Sequence, residues 1–246
     1  MNVHKVSETR AATPRQRELV TSTLARMILS GEVPPGSKLP TEAELGKSMD
    51  VSRTVLRESV RMLAGKGLIE SRPRIGTVVL PPSRWNHLDG DLLAWRESLP
   101  PDLNFIRSLT EARQVIEPAA AAMAAERADG TDLGRIQRAF DAMRAADIAD
   151  IDAAVTADED FHLAILAASK NEIFSNFGAV IGMALRMSFR VTTTGSENYA
   201  ATLATHGDVL EAIRMREADT ARDLMVKLIN VAASDLARIA GRYEDR

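Results

Sequence analysis

The spacing of apolar positions divides the chain into a short, heavily punctuated first third and a long helical remainder. From Arg15 to Ser30, Leu19, Val20, Leu24, Met27 and Ile28 fall on one face at helical spacing. Gly31 stops that helix at the position after its C-cap. The connector Val33-Pro34-Pro35-Gly36-Ser37-Lys38-Leu39-Pro40 is rich in turn formers. Thr41 then opens a short helix to Lys47 as N-cap, and Glu44 three residues on completes a capping box. Asp50-Val51 makes a tight turn, and Ser52 caps a third helix reaching Gly65. Leu45, Val51, Val55, Leu56, Val60 and Leu63 supply the packing between these helices. After Gly67, the β-prone runs Leu68–Ser71 and Thr77–Leu80 flank Arg72-Pro73-Arg74-Ile75-Gly76, which predicts a hairpin with a basic tip.

Proline pairs at Pro81-Pro82 and Pro100-Pro101 break the chain twice. Between them Trp85, Leu88, Leu92, Leu93 and Trp95 make an amphipathic segment, expected as a linker helix over 83–102 clasping one module to the other. From Leu103 to Arg242 nearly everything has helical periodicity. The expected segments are Phe105–Arg127, Leu133–Ala145, Ile148–Ser169, Ile173–Phe189, Ala200–Arg214 and Asp219–Ala240, with Thr131 as an N-cap. About six helices in roughly 140 residues predict an antiparallel all-α bundle. The expected fold is therefore mainly α: an N-terminal winged helix-turn-helix over 15–82, behind a polar arm at 1–14, joined to a helical bundle over 103–242.

Composition narrows the chemistry. The 246 residues are 45% hydrophobic and 26% charged, enough for a substantial core, and aromatics at 4% disfavour a sandwich or barrel. With no cysteine, disulfides, thiolate nucleophiles, cysteine zinc fingers and iron–sulfur clusters are excluded. The N-terminus lacks a hydrophobic signal core, and no apolar run approaches the roughly 18 residues of a membrane helix. A cytoplasmic protein with no membrane partner is expected. The formal net charge of −3 conceals an asymmetry: residues 1–82 hold 13 Lys and Arg against 8 Asp and Glu, and the rest is acidic. A basic head on an acidic body suits a polyanion-binding module attached to a regulatory one.

Two short helices joined by a tight turn form a helix-turn-helix, whose second helix enters the major groove of double-stranded DNA. That helix starts Ser52-Arg53-Thr54, with Arg57 and Arg61 on following turns of the same face. Arginine reads guanine bidentately, and hydroxyls at helix N-termini, here Thr41 and Ser52, suit phosphate. Arg74 and Gly76 would bring the hairpin against the backbone or minor groove.

In the bundle, polar residues on inward faces carry the information. Asp158 and His162 lie four apart on one helix face, and His206 sits beside Val209, Leu210 and Ile213 on a later helix. Arg113 lies among Leu109, Ile116 and Ala120. A carboxylate with two imidazoles can ligate a divalent metal, and a guanidinium recognises a carboxylate. The same residues also fit a surface ion pair and hydrogen-bonded core histidines. As a metal centre they would suit a hydrolase, yet no His-Glu-x-x-His and no glycine-rich phosphate loop accompany them. A pure oligomerisation scaffold would explain the alanine-rich helices but not an inward Arg with two His.

Two sets of residues carry a family resemblance. Gly31-x-x-x-Pro35-Gly36-x-x-Leu39-Pro40-x-Glu42-x-x-Leu45, then Val51-Ser52-Arg53-Thr54-x-x-Arg57-Glu58-x-x-x-x-Leu63 and Gly67-Leu68-Ile69, resembles the GntR family of bacterial winged-helix regulators. The resemblance implies operator contacts at Arg53, Thr54, Arg57 and Gly76. Ala43 stands where relatives often carry Arg. Glu111-x-Arg113-x-x-x-Glu117, Asp158-x-x-x-His162, Asn171 and His206-x-x-x-Leu210-x-Ala212-Ile213 resembles the FCD effector domain of the FadR subfamily. There the acid and histidines line a cavity that often holds zinc or nickel beside a small organic acid. The family's third histidine falls on Leu228, which cannot bind metal, so Asp158, His162 and His206 with water or effector would complete a shell, or the pocket has dispensed with metal.

The linker run Trp85-Asn86-His87-Leu88-Asp89-x-Asp91-Leu92-Leu93-x-Trp95 resembles members of that subfamily that respond to sugar acids. This implies an aldonic acid such as galactonate as effector. Arg113 would pair with its carboxylate, Asp158, His162 and His206 would bind hydroxyls directly or through metal, and Arg186 is a further pocket candidate. The implied protein is a homodimeric repressor on an inverted-repeat operator, released when the acid binds; the same fold answering a different carboxylic acid stays open beside it.

Overall fold

The computed structural model describes residues 14–147, 150–192 and 199–244, so the expected arm lies outside the described residues as far as residue 13. The chain forms two compact units, Met1–Leu99 and Pro100–Arg246.

The first unit holds α1 (Pro14–Leu29), α2 (Glu42–Met49), α3 (Arg53–Gly65), the hairpin of β1 (Ile69–Arg72) and β2 (Gly76–Val79), a 3-10 turn at Pro82–Arg84, and α4 (Gly90–Glu97). The strands pair antiparallel from Ile69 opposite Val79 to Arg72 opposite Gly76. The connector after α1 lies along the free side of β2, where Leu39 N–H donates to Thr77 C=O and Val79 N–H to Ser37 C=O. Leu24, Ile28, Leu56, Leu63, Leu68 and Ile69 are fully buried in one core.

The segment expected as an inter-module linker helix contributes to that same core. Trp85 and Leu92 are buried in it, and Trp85 Nε1–H donates to Leu80 C=O at 2.9 Å. Lys66, the C-cap of α3, reaches Asp89 and Asp91 at 2.7 Å each and lies over the Trp95 ring. Asp89 is also the N-cap of α4. One ammonium thus fastens the end of α3 to the start of α4, because two partly covered carboxylates outweigh its partial desolvation.

The second unit is all helix among its described residues: α5 (Leu103–Arg127), α6 (Gly130–Ala145), α7 (Ile151–Ala168), α8 (Glu172–Asn176), α9 (Gly178–Thr192), α10 (Tyr199–Arg214) and α11 (Ala218–Glu244). Helix α5 is central and packs against α7, α9, α10 and α11. Ala120, Ala121, Ala124 and Ala125 are wholly buried on it, and such small side chains shorten the distance between helix axes. Asx residues cap the starts: Asp102 for α5, Asp129 for α6, Asp150 for α7 and Asn171 for α8. The cap of α6 is Asp129 rather than the expected Thr131. Asp132 returns the bond to Asp129 N–H, and this reciprocal pair moves the helix start back to Gly130. The single segment expected over Ile173–Phe189 is two helices, α8 and α9, meeting at Phe177. At the far end of α5, Arg216 donates to the carbonyls of Ala125 and Ala128, closing helix C-terminal groups that have no partner along the chain.

Gly67 shows how closely the first unit is built. Its φ is 78°, and a Cβ there would lie 2.1 Å from the Arg84 carbonyl oxygen. Gly36 has a similar φ of 84° with no atom within 4 Å of such a Cβ. Gly36→Ala should therefore cost only the left-handed backbone penalty, about 1–2 kcal/mol. Gly67→Ala should add overpacking, for about 2–5 kcal/mol in all. Thermal unfolding of the two variants separates these cases; equal losses would mean that the chain at Arg84 yields freely.

Candidate functional site

Two sites stand out, one on the surface of the first unit and one inside the second. On the first, the helix-turn-helix is set by its caps. Thr41 Oγ1 takes the Glu44 N–H, and its own hydroxyl donates to Glu44 Oε2 at 2.8 Å. Its hydrogen-bonding capacity is largely used inside the cap. Asp50 turns the chain at φ 52°, and Gly46 lets α3 approach, since a Cβ would sit 3.3 Å from Leu56 Cδ1. Ser52 Oγ accepts from Val55 N–H, leaving its proton to point outward.

Arg53, Thr54 and Arg57 are exposed at the start of α3. Arg57 is only loosely drawn to Glu42, at 3.7 Å, while Arg61 is held by Glu58 at 2.8 Å. Ile75 N–H closes a turn onto Arg72 C=O, with Pro73 and Arg74 at its centre. Arg74 has φ 63°, a conformation usually left to glycine, and neither it nor Arg53 has a protein partner among the described residues. Gly76, at φ 105°, is open on all sides. Exposed arginines on a helix start and at a hairpin tip make a surface able to hold phosphates and base edges.

The second site lies where α5, α7 and α10 meet. Arg113, Glu117, Asp158, His162 and His206 are all buried, between 1% and 7% exposed. Arg113 Nε–H donates to Glu117 Oε1 at 2.5 Å. The other oxygen, Oε2, abuts His162 Nδ1. His206 Nδ1 lies 2.6 Å from the Thr202 carbonyl, which can only accept, so the ring proton sits on Nδ1. His206 Nε2 consequently faces Asp158 Oδ1 at 3.0 Å, without the alignment of a hydrogen bond. His162 Nε2 lies 3.8 Å from the same oxygen. One ligand atom from each of Asp158, His162 and His206 falls within 4.8 Å of the others. A buried carboxylate with two imidazole nitrogens turned toward it is a donor set that fits a divalent cation. Thr202 and Glu117 hold the far nitrogens of the two rings, as outer partners of ligating histidines do.

Burial raises the pKa of both carboxylates, and their neighbours more than reverse it. The charges of Arg113 and His162 bring Glu117 down to about 2. The close approach of His206 and the charges of His162 and Arg113 bring Asp158 to about 2. Arg186, expected as a further pocket residue, is on α9 and pairs with Glu159 at 2.5 Å. Leu228, at the place of the absent third histidine, is a buried core residue of α11. Glu117 is the residue to which sequence reasoning gave no role, although its spacing of four from Arg113 puts both on one helix face.

Comparison with known proteins follows the same division. The profile of bacterial regulatory proteins of the gntR family matches residues 16–79, and that of the FCD domain matches residues 108–231. The galactonate operon transcriptional repressor of Escherichia coli is 35% identical over 92% of this chain and 99% of its own. The chain belongs to the GntR family. A protein of Escherichia coli named as a putative L-lactate dehydrogenase operon regulatory protein is 31% identical over 82% of this chain and 79% of its own. The solved structure of Lar, which controls agr expression in Listeria monocytogenes, superposes with TM-score 0.65 over 90% of this chain and 96% of its own. At 19% identity it speaks to the fold alone. The protein is thus a DNA-binding transcriptional regulator, and the metal-dependent enzyme kept open on Asp158, His162 and His206 falls away. No described helix is long and apolar enough to cross a membrane.

Both carboxylates stabilise the fold in their ionised form, because their folded pKa lies below the unfolded one. That stability is complete above about pH 4.5 and drains away as the pH falls toward 2. Each amounts to roughly 2–3 kcal/mol. Asp158→Asn and Glu117→Gln should each make the melting temperature less steeply dependent on pH between 4.5 and 2. Slopes unchanged from the unsubstituted protein would show that neither group is held ionised by the cluster.

Proposed function

We propose that this GntR regulator represses genes of sugar-acid catabolism, with an aldonic acid such as galactonate as its effector. A homodimer presents two α3 helices to an inverted-repeat operator, since a two-fold protein matches a two-fold site. Arg53, Thr54 and Arg57 read the major groove, Thr41 and Ser52 position the helix starts against phosphates, and Arg74 and Gly76 carry the hairpin to the neighbouring backbone or minor groove. Acid bound in the helical unit favours a geometry that no longer fits both half-sites. A coupling of about 1–3 kcal/mol suffices for such a switch. The protein works in the cytoplasm, where operator and acid meet.

The observation that carries this proposal is the buried cluster itself. Three ligand atoms of Asp158, His162 and His206 converge beside a core of apolar side chains. Zinc or nickel fits the donor set, and when bound would supply a Lewis-acidic centre for the acid's carboxylate and hydroxyls. The chain's own contribution is to hold two imidazoles in one tautomer and keep bulk water out. Arg186 on α9 pairs with Glu159, the residue after Asp158 on α7, and is a further candidate for contact with the acid. The name of the Escherichia coli galactonate operon repressor supports the sugar-acid class; that of the L-lactate dehydrogenase operon protein supports a simpler hydroxy acid on the same site.

Thermal unfolding against a panel of aldonic and hydroxy acids, with and without chelator, tests this. An acid at 100 times its Kd should add about 2.7 kcal/mol, several degrees for a protein of this size. A shift confined to one acid and lost on chelation is expected; no shift with any acid overturns the effector assignment. For the head, DNA selected from a random pool by the unsubstituted protein provides the ligand. Arg53→Ala should bind it about 1–3 kcal/mol more weakly, and undiminished affinity would remove α3 as the reading helix.

A further inference from the structure

The buried cluster contains one more acid than a three-ligand site needs. Glu117 is 1% exposed, lies on α5, and stands beside the three residues whose ligand atoms converge. Its two oxygens face different residues: Oε1 takes the Arg113 Nε–H, and Oε2 meets His162 Nδ1. Neither Oε2 nor Nδ1 has another hydrogen-bond partner among the described residues. Two electronegative atoms so close, with nothing else to satisfy either, need a proton between them, and the imidazole is the group that can carry it.

We propose that Glu117 is a positioning residue that fixes His162 with its proton on Nδ1 and its Nε2 lone pair toward Asp158. Arg113 acts on His162 through Glu117, by an Nε–H that leaves the terminal nitrogens of the guanidinium for the carboxylate of a bound acid. The proposal deepens the metal-centred function above and rests on it only for the ligand, not for the orientation. His206 obtains the same orientation from a backbone carbonyl, that of Thr202, one turn back on its own helix. His162 has no such support on α7 among the described residues, so the oxygen comes from α5 instead. A carboxylate there is an unpaired buried charge unless a cation accompanies it, and Arg113, one turn before Glu117, is that cation. Its charge is answered inside the protein, with the side chains of the pair 3% and 2% exposed. The i, i+4 spacing of Arg113 and Glu117 is therefore a two-residue support for a histidine on another helix.

Nitrogen NMR of the imidazole rings in the metal-free, full-length protein tests the orientation directly. His162 should show a protonated Nδ1 and a bare Nε2. Glu117→Ala should lose that signature, whereas Glu117→Gln should retain it, because the amide oxygen still accepts from Nδ1–H. Where Glu117→Ala leaves Arg113 buried alone and the protein does not fold, the paired change Arg113→Met with Glu117→Leu removes both charges and serves instead. Cobalt(II) titration is the second measurement: affinity should fall about 10–100-fold in Glu117→Ala or the paired variant, and far less in Glu117→Gln. An unchanged His162 signature in Glu117→Ala or the paired variant overturns the proposal. A signature that changes as expected in a protein taking up no cobalt supports the role of Glu117 and overturns the metal site proposed above.

Discussion

Charge buried in an alanine-rich bundle is the constraint around which the second unit is arranged. A carboxylate taken out of water is costly unless it is paired and hydrogen-bonded, and two such carboxylates lie within one small volume. Their ionisation depends on Arg113 and on two imidazoles that come from α7 and α10. The cluster consequently fixes three helices relative to one another in a way that apolar packing of small side chains would not. Alanine sets how near the helices come; the polar residues set which register and rotation they adopt. Removing one member leaves the others buried without their complement, so the group acts as a unit.

The first unit solves a different problem with smaller means. Its function requires arginines that face outward, so its rigidity has to come from behind them. Caps at Thr41 and Ser52, a left-handed turn at Asp50 and the close approach at Gly46 hold α2 and α3 together through backbone groups. Lys66 and Trp85 then bind the segment after the hairpin onto the same core. The exposed Arg53 and Arg74 have no ion-pair partner among the described residues, and Arg74 holds a strained backbone conformation at the tip of the turn. Strain and unpaired charge at the surface are what a binding face retains when the rest of a small domain is satisfied.

The first unit was readable in sequence because its determinants are local. The Thr41–Glu44 box, the serine cap and the glycine stops each act within a few residues, and the helices lie where those signals put them. In the second unit the element types were legible and the details were not. Asp129 displaced Thr131 as a cap because a reciprocal bond with Asp132 outcompetes a single hydroxyl, and Phe177 divides a run whose hydrophobic pattern is continuous. Asp158, His162 and His206 could be named from spacing and resemblance, yet their convergence depends on the approach of α7 and α10. Glu117 stood in plain view one turn from Arg113. Its partner His162 is distant in the chain, and no local pattern announces a bond between helices. The fate of the linker segment was hidden for the same reason: Trp85 and Leu92 have the periodicity of any amphipathic helix, and only tertiary contact shows which core they join.

Leu228 bears on what such a cluster is good for. It is buried in the core at the place where the family's further histidine would come from α11, so that helix offers hydrocarbon and no ligand. A metal centre answers to small molecules only through coordination that the protein leaves open. Asp158, His162 and His206 supply three, and the remaining coordination falls to something from outside. A cation held by these residues would bind more firmly with a chelating hydroxy acid than with water, and the acid would gain an anchor that the hydrocarbon around it cannot provide. The loss of one ligand therefore need not weaken the case for a responsive site. With Glu117 and Arg113 behind His162, the chain sets two imidazoles beside a carboxylate at a position it does not itself complete, and on the proposal made above that incompleteness is what would let an effector change the balance between conformations.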